Sequence, residues 1–255
     1  MRYSLCLSYD GSAFCGWQIQ PTSPSVQACL EAVLSRLLNR PVAVTGAGRT
    51  DTAVHAVNYV AHFDCDGVLP FEASDFTYKL NAMLPREVVV HSVVPVADDF
   101  HARFSARRRE YTYFIHRQKD PFVRNYSWYC GFPELDFDAM NQACQYLSGT
   151  HDFSCFEKTG GDNKTSICTV FDAFWKPYTP SHVQVMGGQG EYWYFRIAAD
   201  RFLRNMVRAT VGTLIEVGRG KHAPEWVAGL IKNGSRGDAG ESVPGHALFL
   251  NKVLY

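Results

Sequence analysis

Gly46-Ala47-Gly48-Arg49-Thr50-Asp51 is the segment of this 255-residue chain whose residue types and spacing best suit chemistry. Two glycines let the backbone turn tightly and approach a ligand. Arg49 and Asp51 are two residues apart, so in an extended loop they point to the same side. The guanidinium favours the ionised carboxylate and holds its orientation. A fixed carboxylate in a cleft acts as nucleophile or as base. Taken alone, the segment is more simply read as a turn aspartate that closes a local side-chain hydrogen bond.

Two basic clusters could serve such a carboxylate. Between His101 and Arg124 lie Arg103, Arg107, Arg108, Arg109, Arg117, Lys119 and Arg124, opposed only by Glu110 and Asp120 and interleaved with Tyr111, Tyr113 and Phe114. Guanidinium groups bind phosphates, and aromatic faces stack on unpaired bases. A solvated charge cluster at a domain linker fits the same composition. The second cluster is Arg201, Arg204 and Arg208, at helical spacing beside Met206, Val207 and Val211. It reads as one face of a helix opened by Asp200.

These residues need elements to position them. Arg2 to Tyr9 alternates, with Tyr3, Leu5, Leu7 and Tyr9 on one face of a strand. Ser25 caps a helix carrying Val26, Leu30, Val33, Leu34, Leu37 and Leu38. Val42 to Thr45 and Val57 to Phe63 read as strands, Ser74 opens a second helix that Pro85 stops, and Glu87 to Val94 is a strand. The order β-α-β-β-α-β is the split βαβ, or ferredoxin-like, plan. Beyond a boundary near Ser105, strands are expected over Glu110 to Arg117, Ile167 to Trp175, His182 to Met186 and Tyr192 to Ala198. Gly187, Gly188 and Gly190 make the last two a hairpin. Helices are expected after Asp136, Asp200 and Pro224, with a closing strand from Ala247 to Tyr255.

Composition narrows the class. Apolar residues are 46% and charged residues 20%, close to a soluble globular average. Lys plus Arg and Asp plus Glu both number 25, so any nucleic-acid surface must be a local cleft. Neither a signal-peptide run nor a membrane span stands out, and a cytoplasmic location is expected. Eight cysteines without a Cys-x-x-Cys pair read as reduced core residues. Cys155 with His151 hints at a thiol nucleophile, but no third group assembles around them. The His-x-Glu and Pro-Cys-x-x-Cys of a zinc base deaminase are missing. Gly218-Arg219-Gly220-Lys221-His222-Ala223 leaves no room for the βαβ unit of a dinucleotide site.

Gly48-Arg49-Thr50-Asp51-Thr52-Ala53-Val54-His55-Ala56 resembles G-R-T-D-A-G-V-H-A, the signature of the TruA family of tRNA pseudouridine synthases. Further segments agree in order and spacing. They are Tyr9-Asp10-Gly11-Ser12 with Gly16-Trp17-Gln18, Asp98 to Ala106 (D-D-F-H-A-R-F-S-A), Arg109-Glu110-Tyr111-Thr112-Tyr113, and Phe202 to Arg208 with Val211-Gly212. The resemblance runs from about Arg2 to Val253. Thr52-Ala53 stands where the family has Ala-Gly, and Asn205 where it has histidine. If the family glycine adopts positive φ, Ala53 is strained.

The resemblance implies an α+β fold of two ferredoxin-like halves, residues 1–105 with the catalytic loop and 106–255 with insertions. Their antiparallel sheets would join across a central RNA-binding cleft. It implies a homodimer acting on tRNA without cofactor or metal, isomerising uridines of the anticodon stem-loop at positions 38, 39 and 40. Asp51 matches the catalytic aspartate, Arg49 its loop arginine, and Arg204 the helix arginine that pairs with it. Tyr111 matches the tyrosine that stacks on the target base, and Leu248 an apolar wall of the uracil pocket. Arg208, Arg103 and Arg107 are the expected phosphate contacts. The rival is a non-catalytic RRM-like RNA-binding protein, which should carry stacking aromatics in an RNP1 pattern and leaves Arg49-Thr50-Asp51 unexplained.

Overall fold

The computed structural model describes residues 1–160 and 164–255. These gather into two compact units, Met1–Arg107 with Phe249–Tyr255, and Arg108–Leu248. Both are mixed α+β with mostly antiparallel strands.

In the first unit, β1 (Arg2–Tyr9) pairs antiparallel with both β3 (His55–Asp64) and β4 (Val88–Val96). A short β2 (Val44–Gly46) pairs antiparallel with the far part of β3, Gly46 opposite Ala61. The order is therefore β4-β1-β3-β2. The alternation expected of β1 is borne out: Tyr3, Leu5, Leu7 and Tyr9 are all buried. Helix α1 (Val26–Leu37) starts where expected, because the Ser25 side chain accepts the Ala28 N–H. It buries Val26, Leu30, Val33 and Leu34. Helix α2 (Ala73–Met83) buries Phe76 and Leu80 and packs beside β4. The chain's last strand, running from Leu248 to Leu254, lies parallel to the start of β3, with Phe249 opposite His55.

In the second unit, β5 (Arg108–His116), β8 (Ile167–Pro177) and β9 (Tyr192–Ala199) form antiparallel pairs in the order β5-β9-β8. Two strands were not foreseen: β6 (Trp128–Tyr129), parallel to β5, and β7 (Gly149–Asp152), antiparallel to β8. Helix α3 (Phe137–Gln145) is capped by Asp136, whose carboxylate accepts the Ala139 N–H. It packs on β8 and on α5 (Met206–Gly218). Helix α6 (Trp226–Asn233) follows Pro224, and the closing strand of the chain is β10 (Leu248–Leu254).

Two expectations need correction. His182 to Met186 is not a strand but lies in helix α4 (Ser181–Met186). Pro180 opens the turn, Gln184 N–H reaches its carbonyl, and His182 is held by Asp120 at 2.8 Å. The alternation there misled because Val185 and Met186 are exposed. The second concerns α5, which begins at Met206 rather than after Asp200. The Asp200 carboxylate accepts the N–H groups of Thr169 and Arg201 instead of capping a helix. Asn205 adopts φ 64, so no helix runs through it. Arg201 and Arg204 thus precede the helix and share no helical face with Arg208.

All eight cysteines are free, and five are buried. Burial pushes the Cys155 thiol up to about 11, which keeps it protonated and removes it as a nucleophile. Among the described residues no helix is long and apolar enough to cross a membrane.

Candidate active site

The Gly46–Val54 loop hangs between β2 and β3 and is gripped from one side. Tyr59 is fully buried in β3, its ring stacked on Trp17 at 4.2 Å. Its hydroxyl accepts the Gly48 N–H at 3.3 Å and donates to the Gly48 carbonyl. A Cβ at Gly46 would lie 2.1 Å from that hydroxyl, so only glycine lets the ring reach the loop. Two residues on, the Thr50 hydroxyl pairs with Tyr9 at 2.9 Å, and the Thr50 carbonyl accepts the Trp17 N–H. Gly16, at φ 94, brings that backbone close: a Cβ there would meet the Thr50 carbonyl oxygen at 2.3 Å.

Thr50 is buried, Asp51 half-buried and Arg49 exposed. After Asp51 the chain turns, and the Val54 N–H closes on the Asp51 carbonyl at 3.2 Å. Ala53 occupies the third position of that turn at φ 64, where a turn with positive φ takes glycine. Behind it His55 is buried, accepting the Gly11 N–H at Nδ1, 3.1 Å from the Asp10 carboxylate and stacked on Phe249.

The turn at Arg103 has its own support. His62 is buried, and its Nδ1 accepts the Ala102 N–H at 3.1 Å, as a neutral imidazole must. Burial, then Arg2 and His101, push its pKa down to about 4. Tyr255 donates to the Ala102 carbonyl. Arg103 and Arg107 are both exposed, and Arg107 is tied through its backbone N–H to the Leu254 carbonyl.

In the second unit Tyr111, half-buried on β5, meets the Phe202 ring edge-on at 5.0 Å. Arg204 is exposed in the segment before α5, its carbonyl accepting the Lys158 N–H. Asn205 donates to the Ser242 hydroxyl. Arg208, in the first turn of α5, donates Nε–H to the Val243 carbonyl at 2.7 Å. Leu248 is buried. Phe202, Arg204 and Arg208 therefore come from one short stretch, as expected, although the stretch is a turn into a helix rather than one helix.

The family model described as tRNA pseudouridine synthase matches residues 5–105 and 143–255. Three relatives called tRNA pseudouridine synthase A cover the whole chain. The proteins from Porphyromonas gingivalis, Parabacteroides distasonis and Bacteroides thetaiotaomicron are 44%, 45% and 47% identical to it, over 97%, 96% and 90% of their own lengths. The chain belongs to the tRNA pseudouridine synthase family.

A synthase of this family is an isomerase that converts uridine to pseudouridine, and the reading as a non-catalytic RNA-binding protein finds no support. The basic run of this synthase divides in two. Arg108 pairs with Glu110 at 3.2 Å and Asp172 at 2.5 Å, Arg109 donates to the Asp200 carbonyl, and Arg117 donates to the carbonyls of Cys130 and Phe132. Arg103, Arg107, Lys119 and Arg124 are exposed. Half of the arginine signal is thus structural. Tyr59 was not foreseen from the sequence. Its signal was Gly46, a glycine at a strand end, which marks the close approach of another group.

Proposed function

We propose that this synthase isomerises uridines of the tRNA anticodon stem-loop, at positions 38, 39 and 40, with Asp51 as its catalytic carboxylate. The observation that carries the reading is the loop itself. A half-buried aspartate beside an arginine stands on a backbone fixed at Gly48, Thr50 and Val54. An ordinary turn aspartate needs no such support.

The reaction breaks the C1′–N1 bond, turns the uracil, and joins C5 to C1′. N1 gains a proton and C5 loses one, so the change is an isomerisation. The uridine must first leave its stack, which costs a few kcal/mol. Tyr111 stacks on the flipped base and offsets part of that cost. Arg103, Arg107 and Arg208 hold the distorted backbone by its phosphates. Asp51, held in its orientation by Arg49 and Arg204, either attacks the nucleotide covalently or removes a ribose proton. Leu248 walls the pocket that holds the detached uracil out of water. The working enzyme is read as a cytoplasmic homodimer without cofactor or metal. Its two ferredoxin-like domains, 1–105 and 106–255, bring their sheets together across the RNA-binding cleft. The β-α-β-β-α-β order of the first unit supports that plan.

The test uses tRNA tritiated at C5 of uridine, because joining C5 to C1′ expels that tritium into water. Wild type is expected to release it. Asp51→Asn, folded and still binding tRNA, is expected to release none. Release by both variants would remove Asp51 from the centre of the reaction. Release by neither, across tRNAs with uridine in the anticodon stem-loop, would overturn the substrate.

A further inference from the structure

We propose that Tyr59 is a positioning residue for the isomerisation, holding the backbone on both sides of the Gly48 Cα so that Arg49 and Asp51 stand in one conformation. The inference rests on Asp51 being the catalytic carboxylate. The Tyr59 hydroxyl meets both polar groups of a single residue, accepting from the Gly48 N–H and donating to its carbonyl. The two groups belong to the peptides on either side of the Gly48 Cα, so neither the φ nor the ψ of Gly48 can turn far without losing a hydrogen bond. The clamp is rigid at its base. Tyr59 is fully buried, its ring stacks on Trp17 at 4.2 Å and meets the Tyr9 ring edge-on at 5.5 Å, and its backbone pairs with Leu7 of β1.

The second hold is coupled to the first. Tyr9, touching the Tyr59 ring, pairs its own hydroxyl with Thr50 at 2.9 Å, and Trp17, stacked on the same ring, gives its backbone N–H to the Thr50 carbonyl. One aromatic cluster therefore grips Gly48 and Thr50, the residues that alternate with Arg49 and Asp51. In an extended loop alternate residues face opposite ways. Gripping the even residues from within the unit leaves the odd pair projecting outward with its backbone fixed. A carboxylate that must meet one atom of a flipped nucleotide gains from such a mounting, since small misplacements of a reacting group are costly.

Tyr59→Phe keeps the ring and its stack on Trp17 and removes only the clamp. The measurement is single-turnover tritium release from tRNA labelled at C5 of uridine, with enzyme in excess, alongside the tRNA Kd. The expected result is a rate about 10- to 100-fold below wild type with the Kd unchanged within about twofold. Tyr3→Phe is the control, because Tyr3 is a buried tyrosine of the same unit whose hydroxyl accepts the Leu69 N–H far along the chain from the loop. It is expected to lower thermal stability while leaving the single-turnover rate at the wild-type value.

A wild-type rate in folded Tyr59→Phe overturns the proposal. So does an equal loss of rate in both variants, which would be general destabilisation, and so does a loss confined to tRNA affinity. If Tyr59→Phe does not fold, Tyr9→Phe, which removes the Thr50 contact, is read by the same criteria. Asp51→Asn in the same assay separates the two failures. Activity in that variant removes the catalytic reading of Asp51, whereas its inactivity with a wild-type rate in Tyr59→Phe removes only the clamp.

Discussion

Ala53 in the first unit and Asn205 in the second hold the same backbone angle, φ 64, in the two segments that carry the proposed catalytic residues. Ala53 sits two residues after Asp51, and Asn205 directly after Arg204. A left-handed conformation presses Cβ against the carbonyl and costs an L-residue roughly 1–2 kcal/mol. Asparagine is among the few side chains that visit this region readily, and Asn205 also donates to the Ser242 hydroxyl at 2.5 Å. Ala53 has no side chain with which to compensate. Its conformation is imposed from outside, by the Val54 N–H closing on Asp51 and by its own N–H reaching the Phe14 carbonyl at 3.4 Å. In one segment the residue suits the angle. In the other the surrounding loop enforces it.

This difference makes Asn205 the position where substitution costs most. Asn205→Ala should lose about 1.5–2 kcal/mol, from the αL penalty and the hydrogen bond to Ser242 together. For a chain of this size that is a fall in Tm of roughly 3–8 °C, measured by thermal unfolding. Asn205→Gly keeps the angle cheap and loses only the hydrogen bond, so its fall should be about half as large, roughly 0.5–1 kcal/mol. Equal losses in the two variants would show that the Ser242 bond, rather than the backbone angle, is what asparagine supplies.

The same contrast explains which parts were legible in the sequence. Local signals held. Tyr3, Leu5, Leu7 and Tyr9 alternate into the core, and the Ser25 and Asp136 caps bond where their spacing put them. The proposed catalytic loop was legible as a motif, because two glycines and an Arg-x-Asp pair lie within six residues. The start of α5 was not, since Asp200 looks like a cap in the sequence while its carboxylate binds Thr169, 31 residues away. The clamp was equally hidden. Tyr59 and Gly48 are 11 residues apart, Tyr9 and Thr50 41 apart, and no periodicity encodes a hydroxyl's partner. The arginine run was half misleading for the same reason. Arg108 is matched by Asp172, 64 residues on, which composition counts as a distant charge.

Ala53→Gly gives the smallest effect and the sharpest one. Glycine adopts φ 64 without the Cβ contact, but it also gives the unfolded chain more freedom, which subtracts from the gain. The net expectation is a stabilisation of about 0.5–1 kcal/mol, a rise in Tm of roughly 1–4 °C. The rate of tritium release should stay at the wild-type value, because Gly48, Thr50 and Val54 still hold the loop on either side of Asp51. A rise in Tm accompanied by a loss of rate would mean that the strain at Ala53 helps aim the carboxylate. An unchanged Tm would mean that alanine bears this angle at no cost here, and the contrast with Asn205 would then rest on the Ser242 hydrogen bond alone.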